Sequence, residues 1–248
     1  MIQLRGLRKR LGDKLVLNGV DLDVPAGRTL VVLGRSGTGK SVLLKHIIGL
    51  MRPDAGSIEV DGEDITRLGE HDLNRVRQRF GMLFQGSALF DSLTVGENVA
   101  LPLREHSRLT DAQVRERVAE RLDWVGLRSV EGMKPASLSG GMRKRVGLAR
   151  AIAMDPAYML YDEPTTGLDP IMSDVINRLI RSLQSRIGVT SVVVTHDLHS
   201  AWHVGDRLAL LHEGRVQFTG TPDEARLTTD ALMRQFIEGS SEGPVRAV

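Results

Sequence analysis

Residues 34–41, Gly34-Arg35-Ser36-Gly37-Thr38-Gly39-Lys40-Ser41, limit what this chain can fold into more than any other stretch. An apolar run, Thr29-Leu-Val-Val-Leu33, precedes them and reads as a buried strand. Val42, Leu43, Leu44, Ile47 and Ile48 follow at helical spacing. A glycine-rich turn between a strand and a helix lets successive backbone N–H groups point at one anion, and the helix N-terminus adds its positive end. Lys40 supplies a mobile cation for the β- and γ-phosphates, and the Ser41 hydroxyl is placed for Mg²⁺. The stretch therefore predicts a chain that binds a nucleoside triphosphate, built on an α/β core.

The remaining sequence fits an α/β chain of one large domain. At 248 residues there is room for a core with a smaller inserted part. Lys and Arg number 33 against 31 Asp and Glu, a balance that carries no nucleic-acid footprint. There is no cysteine, so disulfides and thiolate metal sites are excluded. No apolar run approaches the roughly 18–20 residues needed to span a bilayer, and the N-terminus does not read as a signal peptide. Work at a membrane would then go through a partner.

Along the chain, Ile2, Leu4 and the alternation from Val16 to Val24 predict antiparallel strands, with Gly12-Asp13 and Asn18-Gly19 as turns. Residues 56–62 predict a further strand of that layer, and Phe80 to Phe84 another, ending at Gln85. Thr110 with Gln113 reads as a capping box ahead of a helix with Val114, Val118, Leu122 and Val125 on one face. Buried strands are expected again at 158–161 and 191–194, around a helix carrying Val175, Ile176, Leu179, Ile180 and Leu183. A hairpin turned at Glu213-Gly214 follows. Strands alternating with helices behind a phosphate loop imply a mostly parallel sheet.

Asp162 and Glu163 end the 158–161 strand, where open α/β sheets bind ligands. In phosphate-loop enzymes the strand-end aspartate holds Mg²⁺, and the next carboxylate can polarise an attacking water. Leu138-Ser139-Gly140-Gly141-Met142 opens a helix and so offers a second anion site. Its weight comes from order: phosphate loop, Gln85, Ser-Gly-Gly, Asp162-Glu163, Gly167-Leu168-Asp169, then His196 directly after a strand.

With those motifs in that order, the chain resembles the ATP-binding cassette (ABC) ATPases over essentially its whole length. The resemblance implies a P-loop NTPase core with a mostly parallel sheet, an N-terminal antiparallel β-subdomain and an inserted α-helical subdomain. It assigns residues 34–41 as Walker A, Gln85 as the Q-loop glutamine, residues 138–142 as the signature and Asp162 as the Walker B aspartate. Glu163 becomes the catalytic glutamate, Asp169 the D-loop aspartate and His196 the switch histidine. ATP and Mg²⁺ are the implied ligands, with Ser41, Gln85 and Asp162 around the metal. Two such domains sandwich two ATP molecules, each held by one subunit's Walker A and the other's signature, so a homodimer is implied. On this reading residues 1–86 and 151–225 form the nucleotide-binding core with its β-subdomain. Residues 87–150 form the helical signature subdomain, and 226–248 a C-terminal extension.

A narrower resemblance, to the ATPases of Mla/Mce-type lipid transporters (MlaF-like), rests on residues 82–95, 138–145, 161–170 and 234–239 with Gly243-Pro244. It implies phospholipid transport between bacterial membranes at the cytoplasmic face of the inner membrane. The partners it implies are an integral permease, an Mce-domain substrate-binding protein and a small STAS-domain regulator. It also implies a C-terminal extension that reaches the neighbouring ATPase subunit; residues 245–248 are not expected in their own subunit's core. Other ABC transporters remain as alternatives, as do cassette ATPases of DNA or the ribosome, although neither the long coiled coils nor the fused second cassette of those relatives is present. A phosphate-loop kinase would have no need of Ser139-Gly140-Gly141.

The sequence departs from the family at Leu11, where members usually place an aromatic residue against adenine. Arg10 could stack there instead through its guanidinium plane. His199 and His203 stand four apart, a spacing that could grip a metal, but without a metalloprotease glutamate surface histidines are the default. Arg143-Lys144-Arg145 reads as a solvated helix face. Leu89 and Phe90 suit either a core or an apolar docking patch.

Overall fold

The computed structural model of the chain describes residues 1–245. In chain order its strands and helices begin with β1 (Ile2–Leu11), β2 (Lys14–Val24), β3 (Thr29–Leu33), α1 (Lys40–Ile47), β4 (Ala55–Val60), β5 (Glu63–Asp64), α2 (Glu70–Arg77) and β6 (Phe80–Leu83). There follow α3 (Val95–His106), α4 (Asp111–Trp124), α5 (Gly140–Ala151), β7 (Tyr158–Asp162) and α6 (Pro170–Ile187). The chain closes with β8 (Thr190–Thr195), α7 (Leu198–Val204), β9 (Arg207–His212), β10 (Arg215–Gly220), α8 (Pro222–Leu227) and α9 (Ala231–Glu238). Two compact units result: Met1–Leu73 with Thr190–Val248, and Asn74–Val189.

In the first unit the alternating N-terminal sequence makes an antiparallel sheet ordered β2-β1-β4-β5. Ile2 pairs with both Val24 and Val60, and Leu4 with Leu22 and Ile58, so one face collects apolar side chains. Gly12-Asp13 turns the β1–β2 hairpin as the sequence suggests. Asn18-Gly19 does not turn. Both residues lie inside β2, where the pairing steps from Leu7↔Val20 to Arg8↔Asn18 and Gly19, at φ 79°, is the extra residue of a bulge.

The same unit holds β3 between parallel partners, β8 on one side and β9 on the other. All five residues of β3 and all six of β8 are buried, and Leu30–Leu33 and Val192–Val194 supply the unbroken apolar runs of a parallel sheet covered on both faces. The β9–β10 hairpin turns at Glu213 (φ 47°) and Gly214 (φ 72°), both left-handed as a two-residue turn of matching twist requires.

In the second unit β6 and β7 run parallel, Phe80 beside Tyr158 with ring centroids 4.8 Å apart. A Cβ on Gly81 would stand 2.2 Å from the Ala151 carbonyl oxygen, so glycine lets the end of α5 lie directly on β6. Thr110 and Gln113 form the expected capping box, and Thr94 with Glu97 forms a second one at the start of α3. Arg121, 2 % exposed, pairs with Asp155 at 2.5 Å and lies 3.8 Å from the Trp124 ring centroid, with Arg186 4.6 Å from the same centroid. Among the described residues no helix is long and apolar enough to cross a membrane.

Candidate active site

The phosphate loop joins β3 to α1, and its shape follows from its glycines. A Cβ on Gly34 would meet the Leu211 carbonyl oxygen at 2.6 Å and Thr38 Oγ1 at 2.8 Å. Gly37 (φ 78°) and Gly39 (φ 101°) occupy conformations that other residues rarely adopt. Gly39 is also the N-cap of α1 and brings no side chain to it, and a helix N-terminus of this kind favours anions. Lys40 is 6 % exposed and donates from Nζ to the carbonyls of Gly34 (2.7 Å) and Arg35 (3.1 Å). Thr38 closes the loop on the Arg35 carbonyl through Oγ1 at 2.9 Å. Arg35, Ser36 and Gly37 are exposed, and Ser41 is half-buried at the head of α1.

Two cavities in this unit meet the loop. One, of about 440 Å³, is lined by Ser36, Gly37 and Thr38 and by Lys14, Leu15 and Val16. Leu11 is not among its lining residues; it is 42 % exposed at the end of β1, and Arg10 spends its Nη1 on the Asp13 carbonyl. Leu15, 38 % exposed, is among the apolar side chains that line this cavity. The other cavity, of about 660 Å³, has Gly34 and Arg35 on one side and His196 and Asp197 on another. His196 is exposed just after β8, and Asp197 caps α7 by accepting from His199 N and Ser200 Oγ. His199 and His203 lie 4.2 Å apart by ring centroid, with His203 Nδ1 against the His199 carbonyl oxygen. Among the described residues no three His, Asp or Glu gather in a metal-holding group.

The C-terminal segment borders both cavities. Gly239, at φ 64°, ends α9, and the Gln235 amide accepts from Val245 N and donates to the Val245 carbonyl, each at 2.8 Å. Val245, expected outside its own subunit's core, is thus half-buried and held by its own chain. Residues 246–248 lie outside the described residues.

In the second unit Gln85 stands exposed in the turn that follows β6, after Phe84. Ser139 is the N-cap of α5, its hydroxyl accepting from Met142 N at 3.3 Å, and Gly140 and Gly141 form the first turn. A Cβ on Gly141 would stand 2.5 Å from Met172 Cε on α6. Asp162 closes β7 and Glu163 follows, each 8 % exposed. Glu163 sits at φ 46°, a strained region for a residue with a side chain, and Thr166 Oγ1 donates to its Oε2 at 3.2 Å. Asp169 caps α6 through Met172 N at 2.9 Å.

The family described as ABC transporter matches residues 17–166. The chain belongs to the ABC transporter family. It is 44 % identical over 245 residues to the probable ribonucleotide transport ATP-binding protein mkl of Mycobacterium leprae, spanning 98 % of this chain and 70 % of that protein. It is 41 % identical over 246 residues to the intermembrane phospholipid transport system ATP-binding protein MlaF of Haemophilus influenzae, spanning 99 % and 93 %. A dimeric ATP-binding cassette solved in a post-hydrolysis state with ADP and Pi superposes with a TM-score of 0.83 at 34 % identity, covering 89 % of this chain and 98 % of that one. The P-loop ABC core expected from the sequence is the fold found, and the chain is an ATP-hydrolysing ABC subunit.

In this ABC cassette Arg143 is exposed, as a solvated face requires, but Lys144 and the half-buried Arg145 correct that reading. Lys144 is 5 % exposed, and Arg143 and Arg145 donate to the carbonyls of Leu138 (2.6 Å) and Gly126 (3.0 Å). A run of cations in a sequence looks the same whether the helix faces water or carbonyl oxygens, and here Lys144 and Arg145 face carbonyls. Phe90 is 52 % exposed, and the buried Asn98 fixes its backbone by accepting from Phe90 N at 2.8 Å and donating to its carbonyl at 3.1 Å. No sequence signal beyond charge and polarity marked Lys144, Arg150 or Asn98 as residues that shape the site.

Proposed function

We propose that the chain is the ATPase of a transporter that moves phospholipid between bacterial membranes, acting as a homodimer on an integral permease. The observation that carries the lipid reading is the alignment with MlaF, which covers 93 % of that protein. The relative mkl bears a different substrate in its name, ribonucleotide, and spans this chain equally well. The two readings separate by experiment. Isolation of the chain from detergent-solubilised membranes should bring down a multispanning permease and an Mce-domain protein, with phospholipid enriched in the complex. Ribonucleotide bound to the copurifying partner, and no Mce-domain protein, would contradict the lipid reading. The same preparation answers whether a STAS-domain regulator is present, and recovery with the inner-membrane fraction fits a peripheral place on its cytoplasmic face.

Residue by residue, Gly34, Arg35, Ser36, Gly37, Thr38, Gly39 and Lys40 cradle the ATP phosphates, a role supported by the glycine geometry at the start of α1. Glu163 polarises the attacking water, Gln85 and His196 help to place it and the γ-phosphate, and Ser139, Gly140 and Gly141 bind the ATP held by the partner subunit. The donor set suits a hard cation: Mg²⁺ bound with ATP would neutralise charge on the β- and γ-phosphates, and Ser41, Gln85 and Asp162 offer the oxygens it takes. Leu15, which lines the cavity beside the loop as Leu11 does not, fits adenine better.

Lys40→Ala should fail at triphosphate binding. Bonds to a charged group contribute about 1.5–3 kcal/mol, so ATP affinity should fall about 10–100-fold. Thr38 still closes the loop in that variant. Equilibrium binding of a fluorescent ATP analogue checks this, and wild-type affinity would remove Lys40 from the phosphate site.

A further inference from the structure

The helix that begins at the signature also holds the backbone of the Q-loop. Lys144, one turn inside α5, donates from Nζ to the Gln85 carbonyl at 2.5 Å and to the Glu163 carbonyl at 3.2 Å. Arg150, further along the same helix, donates from Nη1 to the Ala88 carbonyl at 2.7 Å and from Nη2 to the Ser87 carbonyl at 2.9 Å. Gly147 lies between them, and a Cβ there would stand 3.2 Å from Ser87 Cβ and 3.3 Å from its carbonyl oxygen. Glycine thus brings the helix close enough for both cations to reach.

The backbone they hold is strained. Ser87 (φ 63°), Ala88 (φ 46°) and Glu163 (φ 46°) all sit in the left-handed region with side chains attached, and such residues persist only where surrounding contacts over-determine them. Burying an ammonium is itself costly. Burial holds the Lys144 pKa below the ordinary lysine value, while the charges of Asp162 and Glu163 act in the other direction. An apolar residue would fill the same space without that cost, but it could not tie two carbonyls from different segments to one helix.

We infer that Lys144 is a positioning residue for ATP hydrolysis: its ammonium fixes the main chain at Gln85 and Glu163 to the signature helix. This rests on the roles proposed above for Gln85, Glu163 and the signature. On those roles, α5 joins the part of the subunit that serves the partner's ATP to the two residues that serve its own. A shift of α5 when the partner's nucleotide arrives is then carried directly to the water-positioning residues.

The test compares full-length wild type, Glu163→Gln, Lys144→Met and Lys144→Arg for ATP affinity, kcat and melting temperature. Lys144→Met keeps the aliphatic stem and removes the donor. ATP affinity should stay within about threefold, because residues 34–41 keep their own hydrogen bonds. The kcat should fall at least about tenfold, the scale of a small misplacement of reacting groups. Lys144→Arg restores donors able to reach both carbonyls and should recover kcat to within about threefold of wild type. A folded Lys144→Met with wild-type kcat overturns the inference. So does a folded Lys144→Arg no faster than Lys144→Met, because a space-filling role predicts that ranking. If Lys144→Met does not fold, Lys144→Arg decides alone: near wild-type kcat supports positioning, whereas low kcat or failure to fold overturns it. Wild-type turnover by Glu163→Gln would instead fault the role assignment beneath it. Full turnover by Lys144→Met beside an inactive Glu163→Gln faults only the inference about Lys144.

Discussion

Glu163→Gln should bind ATP with near wild-type affinity and hydrolyse it about 10²–10⁴-fold more slowly, the usual span of a general-base contribution. The substitution keeps the volume of a side chain that is 8 % exposed and removes only its charge. The loop around it should hold, because Lys144 Nζ and Thr166 N both donate to the Glu163 carbonyl and neither bond involves the carboxylate. Phosphate release and ATP binding, measured on the same preparation, separate the two steps. Turnover at the wild-type rate would show that the negative charge of Glu163 is not used.

Ser139→Arg should also stop turnover, by at least about 100-fold, for a different reason. Ser139 opens α5, where the helix N-terminus favours anions, and an arginine there puts bulk where the partner's γ-phosphate is proposed to sit. Losing the Ser139 cap costs about 1 kcal/mol of helix stability, too little to unfold a chain of this size. ATP binding by the isolated subunit should therefore stay within about threefold, since residues 34–41 belong to the other unit. Loss of ATP binding together with turnover would mean that the substitution had damaged the fold and not the shared site.

What could be read from the sequence divides along physical lines. Residues 34–41 were legible because phosphate chemistry dictates residue type at nearly every position, and β3 and β8 because parallel strands covered on both faces carry unbroken apolar runs, here Leu30–Leu33 and Val192–Val194. The Thr110–Gln113 box was legible because the capping pair is local. The Thr94–Glu97 box at α3 carries the same signal, but Pro102 inside that helix interrupts the pattern that would have extended it. Asn18-Gly19 has the composition of a hairpin turn, yet the β1–β2 turn is already made at Gly12-Asp13, and the extra residue becomes a bulge. Lys144 looks like a surface residue in the sequence because charge alone does not reveal what a helix face meets. Its partners are carbonyls 59 and 19 residues away in the chain. The hold of Gln235 on Val245 was equally hidden, since a side-chain amide that mimics a strand edge leaves no mark in composition.

ATP-dependent dimerisation of the hydrolysis-deficient protein bears most directly on the central claim, a motor in which each ATP is shared by two subunits. Glu163→Gln should sediment as a monomer without nucleotide and as a dimer with ATP and Mg²⁺. The double variant Glu163→Gln/Ser139→Arg should bind ATP equally well and remain a monomer. A dimer formed by the double variant to the same extent, at the same ATP and protein concentrations, would contradict the account.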